Sequence, residues 1–424
     1  MDPGRQPPLL RQRDFAALWG GQLISILGER LTYLALIGLL AENTHSFADP
    51  RSSLLLSLLA NIMLAPVLLL SPFAGAWIDR WNLRRVLIIS DLLRALIVVL
   101  IPLLYRVGHH LSPMFALVFA LFTCNVFFLP AKSAITPEIV PPGQLLAANA
   151  LLALAGVVST GIGAPVGGWV IDHWGWNVAL VINGFTYLVS VVSLWLIRYR
   201  AHAPAPASGP ERTAARYLHE VGEGWRLVQR SPVVVLALTA LAAVWVGGGF
   251  LHVAGNQHIQ QTASVPGMER VGVLLLVLGI GTAISTWWVN TRGRAVPRPV
   301  LLGVGLLIVG LGLVAFAVSR RFAVFAGAAF VIGVAAAPAF VLTETLLQEG
   351  TEARQRGRVF SARDFLMRLV FLVGVTLAGV TTRAFGTRSA LLLCAALVGL
   401  AGAAALAFGR RDPELMRPHQ PPAV

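Results

Sequence analysis

Glu29 stands about 14 residues into an apolar run that opens near residue 15, or about 21 Å along a helix axis at 1.5 Å per residue. If that run crosses a membrane, the carboxyl group lies near its middle. An ionisable group at such depth is costly and by default functional. It can carry a proton or hold a cationic molecule, or it can settle against Arg30 or water in a structural role. Asp91 and Arg94 stand three apart in another apolar run, which places them on one helix face. There they can neutralise each other as a buried pair or relay a proton. A third set, Gly75, Asp79, Arg80, Arg84 and Arg85, occupies a short turn between two apolar runs. Gly75 allows close helix approach, and Asp79 can accept hydrogen bonds from a helix N-terminus or an arginine. Such a turn could latch one helix bundle to another, or simply mark the inner side of a membrane.

The elements that carry these residues follow from composition. Apolar residues make up 56% of the 424 and charged residues 12%, against about 25% charged in a soluble domain. Most of the surface therefore need not face water. In lipid every backbone polar group must be satisfied internally, so spans are helices or closed barrels. Barrel strands run about 10 residues with alternating polarity. The runs here, such as 86–105, are longer and do not alternate, and they match the roughly 20 residues a helix needs to cross the hydrocarbon core. The chain is expected to be an all-α membrane protein with 12 transmembrane helices in two six-helix bundles. The spans are placed at 15–41, 51–77, 84–106, 111–134, 147–172, 174–198, 232–256, 269–290, 298–319, 321–347, 359–384 and 387–409.

The long interior polar stretch, 199–231, opens with Ala-Pro-Ala-Pro-Ala-Ser-Gly-Pro, a breaker-rich linker. It then turns amphipathic through Tyr217, Val221, Trp225 and Val228, the spacing of a short helix lying at a membrane surface. The linker divides the chain into bundles at 1–198 and 232–424, the layout two repeated units would produce. Of the 33 basic residues, 23 fall on the side that holds the N-terminus and seven on the other; Arg30, Arg94 and Arg368 fall within spans. This bias puts both termini and the linker in the cytoplasm and supports an even number of spans. The same clustering between apolar runs explains the net charge of +14 without nucleic acid. Lys132 is the only lysine. Cys124 and Cys394 both lie inside apolar runs and read as small buried hydrophobes rather than a disulfide. The first run is too long for a cleaved signal peptide and is expected to act as its own insertion signal.

In the fifth span, Gly163, Pro165, Gly167 and Gly168 combine a glycine-rich face, which lets helices approach closely, with a proline that allows a bend. Among uncharged polar residues, Asn61, Thr123, Asn125, Asn183, Thr186, Tyr187, His252, Asn256 and Gln257 could tune a cavity or simply bond between helices. There is no Gly-x-x-x-x-Gly-Lys-Ser/Thr phosphate loop, no His-Glu-x-x-His and no paired-cysteine metal set. ATP is therefore not the expected energy source, and neither a metal nor a cofactor is expected. A membrane-embedded enzyme or a non-transporting receptor remains the competing class.

The turn from Gly75 to Arg85 resembles the signature of the major facilitator superfamily between its second and third helices: Gly, three residues, Asp, a basic residue, any residue, Gly, any residue and two basic residues. Asn82 stands where the second glycine would be, and asparagine tolerates the left-handed conformation a turn can need. The resemblance implies that Asp79 meets the cytoplasmic start of the eleventh helix, near Arg358, Arg363 and Arg368. It also implies that the first, fourth, seventh and tenth helices line a central cavity, which favours Glu29 and Asn125 as proton-coupling or substrate residues. Leu18 to Leu31, Asp91 to Ala95, Phe128 to Ala134 and Leu347 to Val359 resemble the branch of macrolide-efflux and enterobactin-exporter proteins, drug:proton antiporter-3-like. The Pro-Ala-Lys segment at 130–132 also resembles lysophospholipid transporters. Antiporters of the superfamily carry Gly-Pro-x-x-Gly-Gly in the fifth helix; here Ala164 precedes Pro165, and one residue separates Pro165 from Gly167. The fourth span carries no arginine, and Lys132 lies at its cytoplasmic end instead. The expectation is a monomeric inner-membrane secondary transporter, a proton-coupled exporter of a small amphipathic, drug-like or macrolide-like molecule. A siderophore or a lysophospholipid is the alternative cargo.

Overall fold

Apolar runs separated by a few helix breakers produce helices and little else in this chain. The computed structural model describes residues 7–45, 47–78, 81–199, 214–229, 231–262, 267–293, 296–351 and 355–411. Its helices are α1 (Arg13–Asn43), α2 (Ser52–Ile78), α3 (Leu83–Gly108), α4 (Leu111–Ile139), α5 (Leu145–Trp174), α6 (Trp176–Leu196), α7 (Ala214–Val228), α8 (Pro232–Phe250), α9 (Asn256–Thr262), α10 (Met268–Arg292), α11 (Arg298–Val318), α12 (Phe322–Glu349) and α13 (Arg356–Arg411). Among the described residues, 11 helical segments are long and apolar enough to cross a membrane. Large apolar side chains such as Leu69, Leu146, Phe185 and Trp195 point outward, which a water-facing surface would not tolerate in such number.

The breaks have local causes. Asn82 caps α3, its side chain accepting a hydrogen bond from Arg85 N at 3.0 Å. Its φ is −69°, so the expectation of a left-handed turn residue is corrected: asparagine serves here as an N-cap. Gly175, at φ 86°, separates α5 from α6 in a conformation other residues avoid. Pro232 and Arg298-Pro299 open α8 and α11 with a proline in the first turn, where the missing N–H costs nothing. Helix α13 runs for 56 residues with Gly386 at φ 82° inside it. A continuous helix of that length would extend about 84 Å, far beyond a hydrocarbon core of about 30 Å. The seventh span runs further than expected: a π-helical turn, Leu251–Gly255, joins α8 to α9 and carries the helix to Thr262.

The chain forms two compact units. The first holds Met1–Leu39, Ile62–Ala214 and Met268–Gly272; the second holds Leu40–Asn61, Ala215–Gly267 and Val273–Val424. In the first, α3 packs against α4 and α6, around a core that includes Leu18, Leu87, Ala131, Ile135 and Leu194. In the second, α13 packs along α11 and α8, and α12 against α11 and α8. The expected amphipathic helix is present as α7. It lies close against α13, where Gly224 faces the carbonyl of Arg358 and Glu223 pairs with Arg358 at 2.7 Å.

Candidate functional site

Arg94 gathers the charged residues of the first unit. It is fully buried, and so is Asp91, one turn away on α3; Arg94 Nη2 lies 2.5 Å from Asp91 Oδ1. Arg94 Nη1 reaches Glu29 Oε1 on α1 at 3.0 Å and donates to Asn125 Oδ1 on α4 at 2.8 Å. The guanidinium lies over the Phe128 ring at 4.0 Å and the Tyr187 ring at 4.9 Å. A fully buried guanidinium requires such compensation, because an unpaired charge removed from water is strongly unfavourable. Four residues singled out in the sequence, Glu29, Asp91, Arg94 and Asn125, therefore form one cluster. Glu29 pairs with Arg94 on another helix rather than with its neighbour Arg30.

The members of this cluster differ in access. The Glu29 side chain is 30% exposed, whereas those of Asp91 and Arg94 are at 0%. Two carboxylates thus share one guanidinium, and of the two Glu29 is the one that reaches solvent. The Asp91–Arg94 pair is sealed from solvent, and the Glu29–Arg94 contact lies at its partly exposed edge.

Helix α1 is held in register behind Glu29 by close backbone contacts. A Cβ on Gly163 would meet Arg30 Cβ at 3.1 Å, and one on Gly167 would meet Leu31 Cα at 3.2 Å. These two glycines let α5 lie directly against α1. Ser159 Oγ donates to Leu23 O at 2.7 Å, and Trp19 Nε1 donates to Leu151 O at 2.8 Å. On the α6 side, Asn183 Nδ2 donates to Thr32 Oγ1 at 2.5 Å. Asn183 thereby takes the interhelical role that sequence left open, while Thr186 donates within α6 to Asn183.

The other two glycine-element residues separate. Pro165 lies within α5, and Gly168 faces the backbone of Met268 and Glu269. Next to it, Asp172 accepts hydrogen bonds from both Met268 N and Glu269 N at 2.8 Å. That carboxylate caps α10, satisfying two of the N–H groups a helix start leaves open. Nothing in the local sequence marked this contact, since 96 positions separate Asp172 from Met268.

The turn after α2 is described in part. Gly75 lies in the last turns of α2; Asp79 and Arg80 lie outside the described residues. Arg84 donates through Nε to Leu194 O at 3.1 Å and through Nη2 to Trp195 O. It thus satisfies carbonyls at the C-terminal end of α6, where a cation is favoured. In the second unit, Arg358 pairs with Glu223, while Arg363 pairs with Glu344 and, at 2.8 Å, with Asp364. Asn61 bonds to Thr376 at 2.9 Å. His252 lies in the π-helical turn, and Asn256 and Gln257 are buried just beyond it; Gln257 and Gln261 both donate to Phe47 O. Among the described residues, no three His, Cys, Asp or Glu converge as a metal set.

Among the described residues, eleven candidate spans carry few charges, and three of these, Glu29, Asp91 and Arg94, meet in one cluster. The sequence profile of the Major Facilitator Superfamily matches residues 18–295 and 271–423. The chain belongs to that superfamily. As a major facilitator protein it is a multi-pass membrane transporter and not an enzyme. It is 27% identical over 421 residues to the uncharacterized MFS-type transporter YfiS of Bacillus subtilis, covering 97% of both chains. It is 21% identical over 401 residues to macrolide efflux protein A of Streptococcus pyogenes, covering 91% of this chain and 93% of that one. Among solved structures, a bacterial homolog of the human lysosomal transporter Spinster shares the fold, with a TM-score of 0.73 at 16% identity, covering 99% of this chain and 100% of the other.

Proposed function

We propose that this protein is a proton-coupled exporter of a small amphipathic molecule, working by alternating access. The observation that carries the reading is the Glu29–Arg94–Asp91 cluster: a partly exposed carboxylate against a buried guanidinium whose second acid is sealed from water. A proton on Glu29 removes its attraction to Arg94, while Arg94 keeps Asp91 and Asn125. Loading and unloading of one proton thus changes a contact between α1 and α3 without stranding the buried cation. Similarity over nearly the full chain to a macrolide efflux protein supports export and a drug-like cargo. In this reading α13 crosses the membrane twice, about the break at Gly386, which makes 12 spans. Two six-helix bundles joined by the 199–231 linker then rock to open a mid-membrane site to alternate sides. The protein functions as a monomer in the inner membrane with both termini cytoplasmic, as the excess of arginine on that side supports.

The test is pH-jump flux in proteoliposomes, comparing a macrolide or cationic dye, a siderophore and a lysophospholipid, with wild type and Glu29→Gln. Gradient-driven flux of the drug, lost in Glu29→Gln, supports the proposal. Undiminished proton-driven export by that variant removes Glu29 from the coupling, and flux of only the siderophore or the lipid replaces the cargo.

A further inference from the structure

Two cavities in the second unit share a wall. One, of about 190 Å3, is lined by apolar groups including Trp245, Gly248, Leu313, Phe340 and Phe371. The other, of about 510 Å3, has Trp245, Phe340, Glu344, Arg363, Asp364 and Arg368 in its wall, beside apolar groups such as Leu241 and Met367. Trp245 and Phe340 border both, and the Trp245 ring meets Phe340 and Phe371 edge to face at 6.3 and 5.6 Å. An apolar chamber therefore adjoins a charged mouth across one aromatic partition. Apolar cavities of about 150 Å3 stay dry and accept a benzene-sized group, so the chamber has room for a ring or a short alkyl segment.

The mouth is not electrically idle. Arg363 is taken up by Glu344 and Asp364. Arg368, half-buried and one turn beyond Asp364 on the same face of α13, joins none of the ion pairs or hydrogen bonds of the described residues. Arg368 is also one of only three basic residues that the hydropathy pattern places within a span. A guanidinium at such a position is expensive and is retained for a partner or a task. Its planar fork suits a carboxylate or a phosphate.

We infer that this cavity pair holds the transported molecule as an anionic amphiphile, its carboxylate or phosphate on Arg368 and its apolar body past Trp245 in the chamber. The inference rests on the transporter reading above and names the chemical class of its cargo. The partition selects for a body that can part or stack on Trp245. The Arg363 trio, already neutralised within itself apart from one carboxylate charge, repels a second anion and so confines the head to Arg368.

The experiment uses the full-length protein in nanodiscs and four probes with one octyl chain and different heads: N-octanoylglycine, octyl phosphate, octyltrimethylammonium and octyl glucoside. Binding is measured by thermophoresis. The anionic probes are expected to bind at least about tenfold more tightly than the other two, and Arg368→Gln to erase that preference while Arg368→Lys keeps part of it. Preference for the glycine conjugate identifies a carboxylate head, and preference for octyl phosphate a phosphate head. Gly248→Leu, whose side chain grows toward open space because a Cβ there meets only Phe371 at 4.0 Å, is expected to weaken all four probes together. Equal binding of all heads, or anion binding untouched by Arg368→Gln, overturns the inference. Flux in proteoliposomes separates the two claims. Transport indifferent to Arg368→Gln leaves the transporter reading standing and this one fallen; anion binding through Arg368 with no flux of any probe keeps the anion site but overturns the claim that it holds the cargo.

Discussion

Arg94 and Glu29 meet at 3.0 Å although 65 positions separate them, and this pair links the fully buried charge of α3 to the one carboxylate of the cluster that reaches solvent. It makes Arg94 the common partner of both acids and distinguishes them by access: Asp91 is sealed and Glu29 is partly exposed.

Breaking the Asp91–Arg94 pair from one side leaves a fully buried charge short of its nearest partner. Asp91→Asn or Arg94→Gln alone is expected to destabilise the protein by about 3–5 kcal/mol. The double replacement by Leu and Met, apolar groups of similar volume, is expected to recover much of that loss, since Glu29 can turn to water. Thermal unfolding of the purified protein in detergent measures the cycle; equal damage from single and double variants would count against the pairing.

Glu29→Gln keeps the hydrogen-bonding shape and removes the charge. Export driven by a pH gradient is expected to fall at least about tenfold, while exchange of labelled for unlabelled cargo at equal pH stays within about twofold. Measuring both fluxes in one vesicle preparation separates lost coupling from lost binding.

The glycines of α5 predict a contrast. Gly163→Ala and Gly167→Ala push against α1 at 3.1 and 3.2 Å and are expected to cost about 1–3 kcal/mol through overpacking. Gly156→Ala, with nothing within 4 Å of its Cβ, is expected to be neutral or mildly stabilising through helix propensity. Midpoints of thermal unfolding for the three variants check the order.

Asn82 is the N-cap of α3. Asn82→Ala is expected to cost about 1 kcal/mol, with Ser or Asp restoring most of it and Gly losing only a few tenths. If only Gly restored stability, the left-handed reading would return.

Asp172 holds the first amides of α10. In Asp172→Ala, hydrogen exchange at Met268 and Glu269 is expected to accelerate by about tenfold, with amides in the middle of α10 unchanged. Unchanged protection at both residues would show that the cap contributes nothing there.

Sequence by itself determined the class of protein, because the exclusion of unpaired backbone from lipid leaves long apolar runs only one conformation. It located the helix breaks at Gly175, at Ser319 to Arg321 and near Gly386, where local chain geometry decides. It also exposed the Asp91–Arg94 pair, since positions three apart on a helix must share a face. It named Glu29 and Asn125 but not their partner. It placed Arg84 in a charged turn without showing that it bonds the end of α6, and it gave no sign that Asp172 caps α10 or that Trp245 divides two cavities. These are contacts between helices far apart in the chain. Local periodicity states which residues share a face of one helix; only packing, through close approaches such as Gly163 on Arg30, sets which faces meet.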